Sequence, residues 1–313
     1  MKNVRLCYSC AMSDSSGSLK TILFALGANT AIAAAKAAAA VVTGSGAMFA
    51  EAIHSTADAG NQILLLLGVS RSRKPPSADA PLGYGKEIYF WSFIVALMLF
   101  SVGGLVSINE GLHKLQNPEP LSHPFIAIGV LVFAMFAEGA ALRTCLQQVN
   151  KTRGSQPLWR WFRESRQSEL IVIFGEDLAA LVGLSLALAA ITATLITGDP
   201  MYDALGSCAI GVLLVLVAIL VGREVKELLV GQGVEPRVRA AMLQFLEAQP
   251  EINELFNLLT LHMGDDVMVA IKAEMSDPGS AVGVARTINA VEARFREAFP
   301  EVTWLFFEPD IKD

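Results

Sequence analysis

Residues 168–197 read SELIVIFGEDLAALVGLSLALAAITATLIT, and past Glu169 the only charges in the stretch are the adjacent Glu176 and Asp177. Crossing the hydrocarbon core of a bilayer takes about 20 mostly apolar residues in helical form. The stretch therefore reads as a membrane span. Charge in lipid is expensive, so a carboxylate pair close to the middle of a span reads as a functional feature rather than as surface decoration.

Working outward, five more segments have the same character, at about 21–43, 45–70, 88–112, 123–148 and 202–222. The chain is 53% hydrophobic and 17% charged, against about 25% charged for a soluble domain. That balance excludes an ordinary soluble protein, and the blocked arrangement excludes disordered and collagen-like chains. The expected class is a membrane all-α protein, a bundle of six transmembrane helices. Four cysteines are too few and too dispersed for a disulfide framework: Cys145 and Cys208 lie in apolar stretches, and only Cys7 and Cys10 form a CxxC pair. Without a second pair or a histidine partner, that pair is a weak signal for metal or redox chemistry. Met1–Lys20 is polar and carries no secretory-leader pattern.

An even number of spans puts both termini on one side. The connections at 71–87 and 149–167 carry Arg71, Arg73, Lys74, Lys86, Lys151, Arg153, Arg160, Arg163 and Arg166, whereas the opposite loops carry only Lys114. The positive-inside rule then makes both termini cytoplasmic. Trp159, Trp161 and Phe162, interleaved with arginines, read as an interfacial anchor.

Residues 1–230 hold 17 Lys/Arg and 16 Asp/Glu, while residues 231–313 hold 7 and 14, so the acidic excess belongs to the tail. The tail reads as helix (about 235–248), strand (255–262), strand (266–275), helix (280–298) and strand (302–308), from the alternation of Val267, Val269, Ile271 and Ala273 and the helical spacing of Val284, Ile288, Val291 and Phe295. Two helices on one face of a three-stranded sheet make a small cytoplasmic α+β (ferredoxin-like) domain. The organisation expected is an N-terminal tail at 1–19, a transport domain at 20–224 and the C-terminal domain at 225–313.

The second span supplies the sharpest chemistry. His54, Asp58 and Asn61 are spaced by four and then three, which puts them on one helical face about one turn apart. An imidazole with the Glu176 and Asp177 carboxylates suits zinc or a neighbouring divalent ion. Structural pairing and metal-free proton relay are the alternatives. Lys36 in the first span and Glu138 in the fourth lie near mid-membrane, where mutual pairing lowers the desolvation cost of each. Glu138 alternatively belongs to a proton path. Glu110 and Lys114 read as interfacial, snorkelling side chains. Small residues at Ala31–Ala40 and Gly44-Ser45-Gly46-Ala47 read as close helix packing, which also lets a bundle rock about a central site.

The run Val42-Thr-Gly-Ser-Gly-Ala-Met-Phe-Ala-Glu-Ala-Ile-His-Ser-Thr-Ala-Asp58, followed by Pro81-Leu-Gly-Tyr-Gly-Lys-Glu87, resembles the cation diffusion facilitator family, in particular the branch related to zinc transporter nine, over about residues 20–310. The resemblance implies a homodimeric metal/proton antiporter that exports zinc or a similar divalent cation from the cytoplasm. It matches the family's two second-span ligands to His54 and Asp58. In the fifth span the family has a His and an Asp four apart. Aligning Leu181-Val-Gly with the family's small-residue run puts Asp177 at the aspartate and Ile173 where the histidine belongs. Glu176 is the evident substitute, although neighbouring helical residues point about 100° apart, so a distortion or a water is needed; Asn61 or water completes the site otherwise. A site with one histidine is harder than one with two and admits manganese, cobalt or iron beside zinc. In the tail the family's ligand positions fall on Lys272 and Phe306, so no family-type metal cluster is expected there, and His262 reads as a surface strand residue.

The expected function is therefore proton-coupled divalent-cation efflux by alternating access, with zinc as cargo, no prosthetic group, no enzymatic activity and no nucleic-acid partner. Compact loops suggest a bacterial inner membrane, with an organelle membrane as the alternative. The rival readings are a non-transporting membrane scaffold whose tail recruits proteins, and a proton-coupled carrier of another solute.

Overall fold

Helix α1 (Ser15–Thr43) stops at Gly44, whose φ of +66° an L side chain rarely adopts, and Ser45 opens α2 (Gly46–Ser72) by accepting a bond from the Met48 amide at 3.1 Å. In the computed structural model, which describes residues 15–118, 120–276 and 279–312, this turn is followed by α3 (Glu87–Met98), a π-helical segment (Leu99–Leu105), α4 (Val106–Gln116), α5 (Pro124–Arg153), α6 (Leu158–Glu164), α7 (Ser168–Thr197) and α8 (Met201–Val230). Cys7 and Cys10 lie outside the described residues.

Four helical stretches are long and apolar enough to cross a membrane: Glu87–Gln116, Pro124–Lys151, Ser168–Thr197 and Met201–Val230. The protein is thus an integral, multi-pass membrane protein. The apolar part of α1, Asn29–Thr43, is shorter, and α2 breaks its apolar run with Glu51, His54, Asp58, Asn61 and Gln62.

The third span, Glu87–Gln116, is continuous as expected and contains a π-helical turn at Leu99–Leu105. The span packs closely against α8, where a Cβ on Gly104 would lie 2.6 Å from Val215 Cγ2 and one on Gly111 would lie 2.4 Å from Cys208 Sγ. Backbones this close require glycine, and Ser207 Oγ fastens the pair by donating to the Ser107 carbonyl at 2.9 Å. Widening one turn lets the helix keep that contact along its length. Hydropathy carries no mark of it.

The described residues form two compact units. The first takes the chain up to Leu67, Trp91–Trp161 and Glu169–Arg223; the second takes Gly68–Phe90, Phe162–Ser168 and Glu224–Asp313. The core of the first is built from small residues facing large ones: Ala39 and Ala40 of α1, Met48 of α2, Leu131 of α5, Leu184 and Ile191 of α7, Ile210 and Leu214 of α8. Trp161 packs edge-on against Phe174, with ring centroids 6.0 Å apart. It and Phe162 are buried, so of the expected aromatic anchor only Trp159 is exposed.

In the second unit, α9 (Pro236–Glu247) precedes β1 (Ile252–Met263), β2 (Asp266–Met275), α10 (Ala281–Ala298) and β3 (Val302–Pro309). β1 pairs antiparallel with β2, and β2 pairs parallel with β3 through the α10 crossover. Register shifts at Ile252/Glu254 and Leu255/Asn257 explain why alternation locates β1 only from residue 255. Val267, Val269, Ile271 and Ala273 face the helices, and Phe245, Phe295 and Phe299 stack among themselves in that core.

The Pro81–Glu87 loop meets the β1–β2 hairpin in this unit. A Cβ on Gly264, whose φ is +79°, would lie 2.6 Å from the Gly85 carbonyl oxygen. Tyr89 Oη accepts from the Gly264 amide at 3.0 Å and lies 3.3 Å from His262 Nδ1. His262, expected on the surface, is half-buried in this joint, and burial lowers its pKa from 6.5.

Candidate metal centre

Spacings of three, four and three place Glu51, His54, Asp58 and Asn61 in one row along α2. Glu51, His54 and Asn61 are fully buried, and Asp58 is 14% exposed. His54 Nδ1 lies 3.5 Å from Asp58 Oδ1, a spacing set by one helical turn and too long for a hydrogen bond between them. Asn61 donates to Glu176 Oε1 of α7 at 2.6 Å. The α2 row and the fifth-span carboxylate are thereby brought together.

The row is short of partners. Both ring nitrogens of His54, Oδ1 of Asp58 and Oδ1 of Asn61 are buried with no hydrogen-bond partner among the described residues. Buried polar atoms are normally satisfied, because leaving one unpaired costs about 1–3 kcal/mol. An imidazole and two carboxylates with free lone pairs in an apolar setting form a donor set that a divalent cation would satisfy. Among the described residues, no three His, Cys, Asp or Glu side chains already stand in ligating geometry; His54 with Asp58 and Asn61 with Glu176 form two neighbouring pairs.

The two fifth-span carboxylates part company. The inward face of α7 carries Val172, Glu176, Ala179, Ala180 and Leu184, all buried. Asp177 is a third of a turn away and half-buried, flanked by Ile173 and Leu178 at 38% and 42% exposure. Its electrostatic neighbours are Glu138 and Cys145 of α5 and the adjacent Glu176. Glu176, the expected substitute for the missing histidine, is the one that reaches α2, and Ile173 occupies a face on which a histidine would point away from it.

Two further expectations change. Lys36 does not pair with Glu138: its Nζ lies 3.1 Å from Glu51 Oε2 and donates to Ser55 Oγ at 2.6 Å, because Glu51 and Ser55 share an α2 face toward α1. Lys114 is not a snorkelling side chain either. It lies 3.8 Å from Asp203 Oδ2 of α8 and donates to the Gly44 carbonyl, while Asp203 accepts from Ser45 Oγ and from the Gly46 and Ala47 amides that open α2. The small-residue run at Gly44–Ala47 is thus a capped helix start. Glu51 escaped the sequence reading, although its place three residues before His54 in the same row was the signal for it. In the tail, Lys272 forms an ion pair with Asp310 at 3.2 Å and Phe306 is exposed.

Residues 22–230 match the family model of the cation efflux transmembrane domain. The mitochondrial proton-coupled zinc antiporter SLC30A9 of Xenopus laevis is 32% identical over 244 residues, 77% of this chain and 44% of its own length. Metal tolerance protein C4 of Arabidopsis thaliana is 31% identical over 239 residues, 74% of this chain and 49% of its own. The cation-efflux pump FieF of Serratia proteamaculans is 26% identical over 258 residues, 82% of this chain and 81% of its own. The chain spans about half the length of the first two relatives. With the transmembrane domain matched and the His54 row in place, this chain belongs to the cation diffusion facilitator family, in its branch related to zinc transporter nine.

Proposed function

We propose that the protein is a proton-coupled antiporter that moves divalent cations, zinc first among them, by alternating access around His54, Asp58 and Glu176. The observation that carries this reading is the row of buried, unpartnered His54, Asp58 and Asn61 atoms. Asn61 orients Glu176 through its 2.6 Å bond, and Asp177 stands beside the site toward α5. Cation binding needs neutral imidazole and ionised carboxylates, so entry of the cation expels protons and returning protons expel the cation. The zinc antiporters among the relatives support the choice of cargo; the one-histidine donor set extends it to manganese, cobalt and iron.

In this reading α1 and α2 complete six spans, because α2's polar row faces the bundle rather than lipid. Both termini are cytoplasmic and the host is a bacterial inner membrane. The small tail domain, α9-β1-β2-α10-β3 with two helices over a three-stranded sheet, is read as ferredoxin-like on the strength of its α+β order. A homodimer fits the open face of the sheet, where exposed Leu259 and Phe306 flank Ala270 in register.

The test is zinc flux in proteoliposomes under an imposed pH gradient, with manganese, cobalt and iron as a panel. Wild-type protein is expected to exchange zinc for protons, and His54→Ala with Asp58→Ala to abolish the exchange. Flux unchanged by the pair overturns the assignment, and a protein with neither flux nor a saturable Co(II) site is a scaffold.

A further inference from the structure

One charged side chain of the bundle has no part in this exchange. Lys36 is fully buried in α1, held by Glu51 at 3.1 Å and by Ser55 at 2.6 Å. Ser55 is the residue after His54, and Glu51 lies one turn before it. Glu51 in turn has a buried Oε1 without a partner, lying where a Cβ on Gly183 of α7 would come within 2.5 Å. Glycine at 183 makes room for that carboxylate between α2 and α7.

A buried ion pair is a poor stabiliser, since desolvating two charges offsets most of their attraction and an apolar pair of similar volume holds a fold as well. Its field has another consequence. The ammonium interacts electrostatically with His54 and Asp58 on α2 and with Glu138 on α5, as well as with Glu51. Glu176 faces the same row from α7. An imidazole and several carboxylates in an apolar bundle would hold a divalent cation strongly, and a carrier needs binding weak enough for departure. A positive charge fixed on Glu51 and Ser55, the residues that flank His54 in the α2 sequence, repels the cargo and loosens it.

We propose that Lys36 is an affinity-setting residue for the transported cation: a tethered ammonium, anchored by Glu51 and Ser55, that weakens cation binding at the His54 row and so permits release. Glu51 moderates it. The two partners then act with opposite signs, which a structural ion pair cannot do, because breaking such a pair from either side damages the same packing.

The inference rests on the cation-carrier reading, and one set of titrations separates the two. Full-length protein in detergent is titrated with Co(II), and the same variants are reconstituted for zinc flux. Lys36→Gln is expected to tighten Co(II) binding about tenfold, with KM and Vmax for zinc both falling as release slows; Glu51→Gln, which leaves the ammonium unopposed, weakens it about tenfold, and Lys36→Arg stays near wild type. Lys36→Gln and Glu51→Gln shifting Kd in the same direction, or leaving it unmoved, overturns the inference. Should Lys36→Gln fail to fold, the double variant Lys36→Gln with Glu51→Gln decides: Co(II) binding tighter than in Glu51→Gln alone upholds the inference, and binding equal to it or weaker overturns it. A wild-type protein without a saturable, His54-dependent Co(II) site removes the carrier reading itself.

Discussion

Two buried polar clusters lie along α2, and they are built on opposite principles. At its start, Asp203 accepts from Ser45 Oγ and from the Gly46 and Ala47 amides, and Lys114 supplies the counter-charge at 3.8 Å. Further along, His54, Asp58 and Asn61 keep buried atoms without partners. The first cluster is satisfied by the chain itself, as buried polar groups in a stable interior are. The second is left open to something that comes and goes. Polarity in a membrane bundle is therefore no guide by itself; satisfaction separates the group that holds the fold from the group that handles cargo.

The largest effect follows from breaking the satisfied cluster. Asp203→Ala strands two helix-start amides and the Lys114 ammonium, and should cost about 3–5 kcal/mol, the loss that accompanies removing one partner of a buried charge pair. Thermal unfolding of the purified chain measures it. His54→Leu should do the reverse: it removes two unpartnered nitrogens, so the unfolding temperature holds or rises while Co(II) binding disappears. A His54→Leu protein as damaged as Asp203→Ala would mean that both clusters are structural.

Next in size is the split between neighbours in α7. Glu176→Gln should weaken Co(II) binding by at least about 10- to 100-fold, the loss that follows changing a group that merely supports a metal ligand. Asp177→Asn should shift it less, since that carboxylate is half-buried and it is Glu176, a third of a turn away, that Asn61 of α2 binds. The reverse ranking would mean that α7 rotates when the cation binds. Smaller again is Gly183→Ala, whose Cβ would press on Glu51 Oε1 at 2.5 Å; overpacking at such a site costs about 1–3 kcal/mol in thermal unfolding.

Much of this was legible in the sequence. Apolar blocks located the helices, and the period of α2 put His54, Asp58 and Asn61 in one row because the helical repeat is fixed. Alternation placed β2 to the residue. What escaped depends on which faces meet, a property of packing that one-dimensional periodicity does not contain. Glu176 and Asp177 are indistinguishable as a dipeptide; the burial of Val172, Ala179, Ala180 and Leu184 decides between them. Lys36 had several carboxylates available in other spans, and only the α1–α2 contact selects Glu51. The π turn at Leu99–Leu105 lies where Gly104 packs against Val215 of α8, a contact for which hydropathy has no signal.

The smallest effect concerns a second histidine, the half-buried His262, which sharpens the contrast because it has the partners His54 lacks. His262 Nδ1 lies 3.3 Å from Tyr89 Oη, and the His262 amide donates to the Gln232 carbonyl at 2.9 Å. Burial lowers its pKa from 6.5, outweighing the opposing influence of Gly264 and Asp265, while Arg166 adds to the lowering. The folded joint therefore holds the imidazole neutral where the unfolded chain, at about 6.5, takes up a proton. Stability is unaffected above that pH and falls as pH drops below about 6.5, until the folded form is protonated too. Replacing His262 with Asn removes the titration, so the difference between wild-type and His262→Asn unfolding temperatures should shift against wild type as pH falls from about 7 to 5.5. Parallel profiles for the two proteins would mean that the joint with Tyr89 is already open in the folded chain.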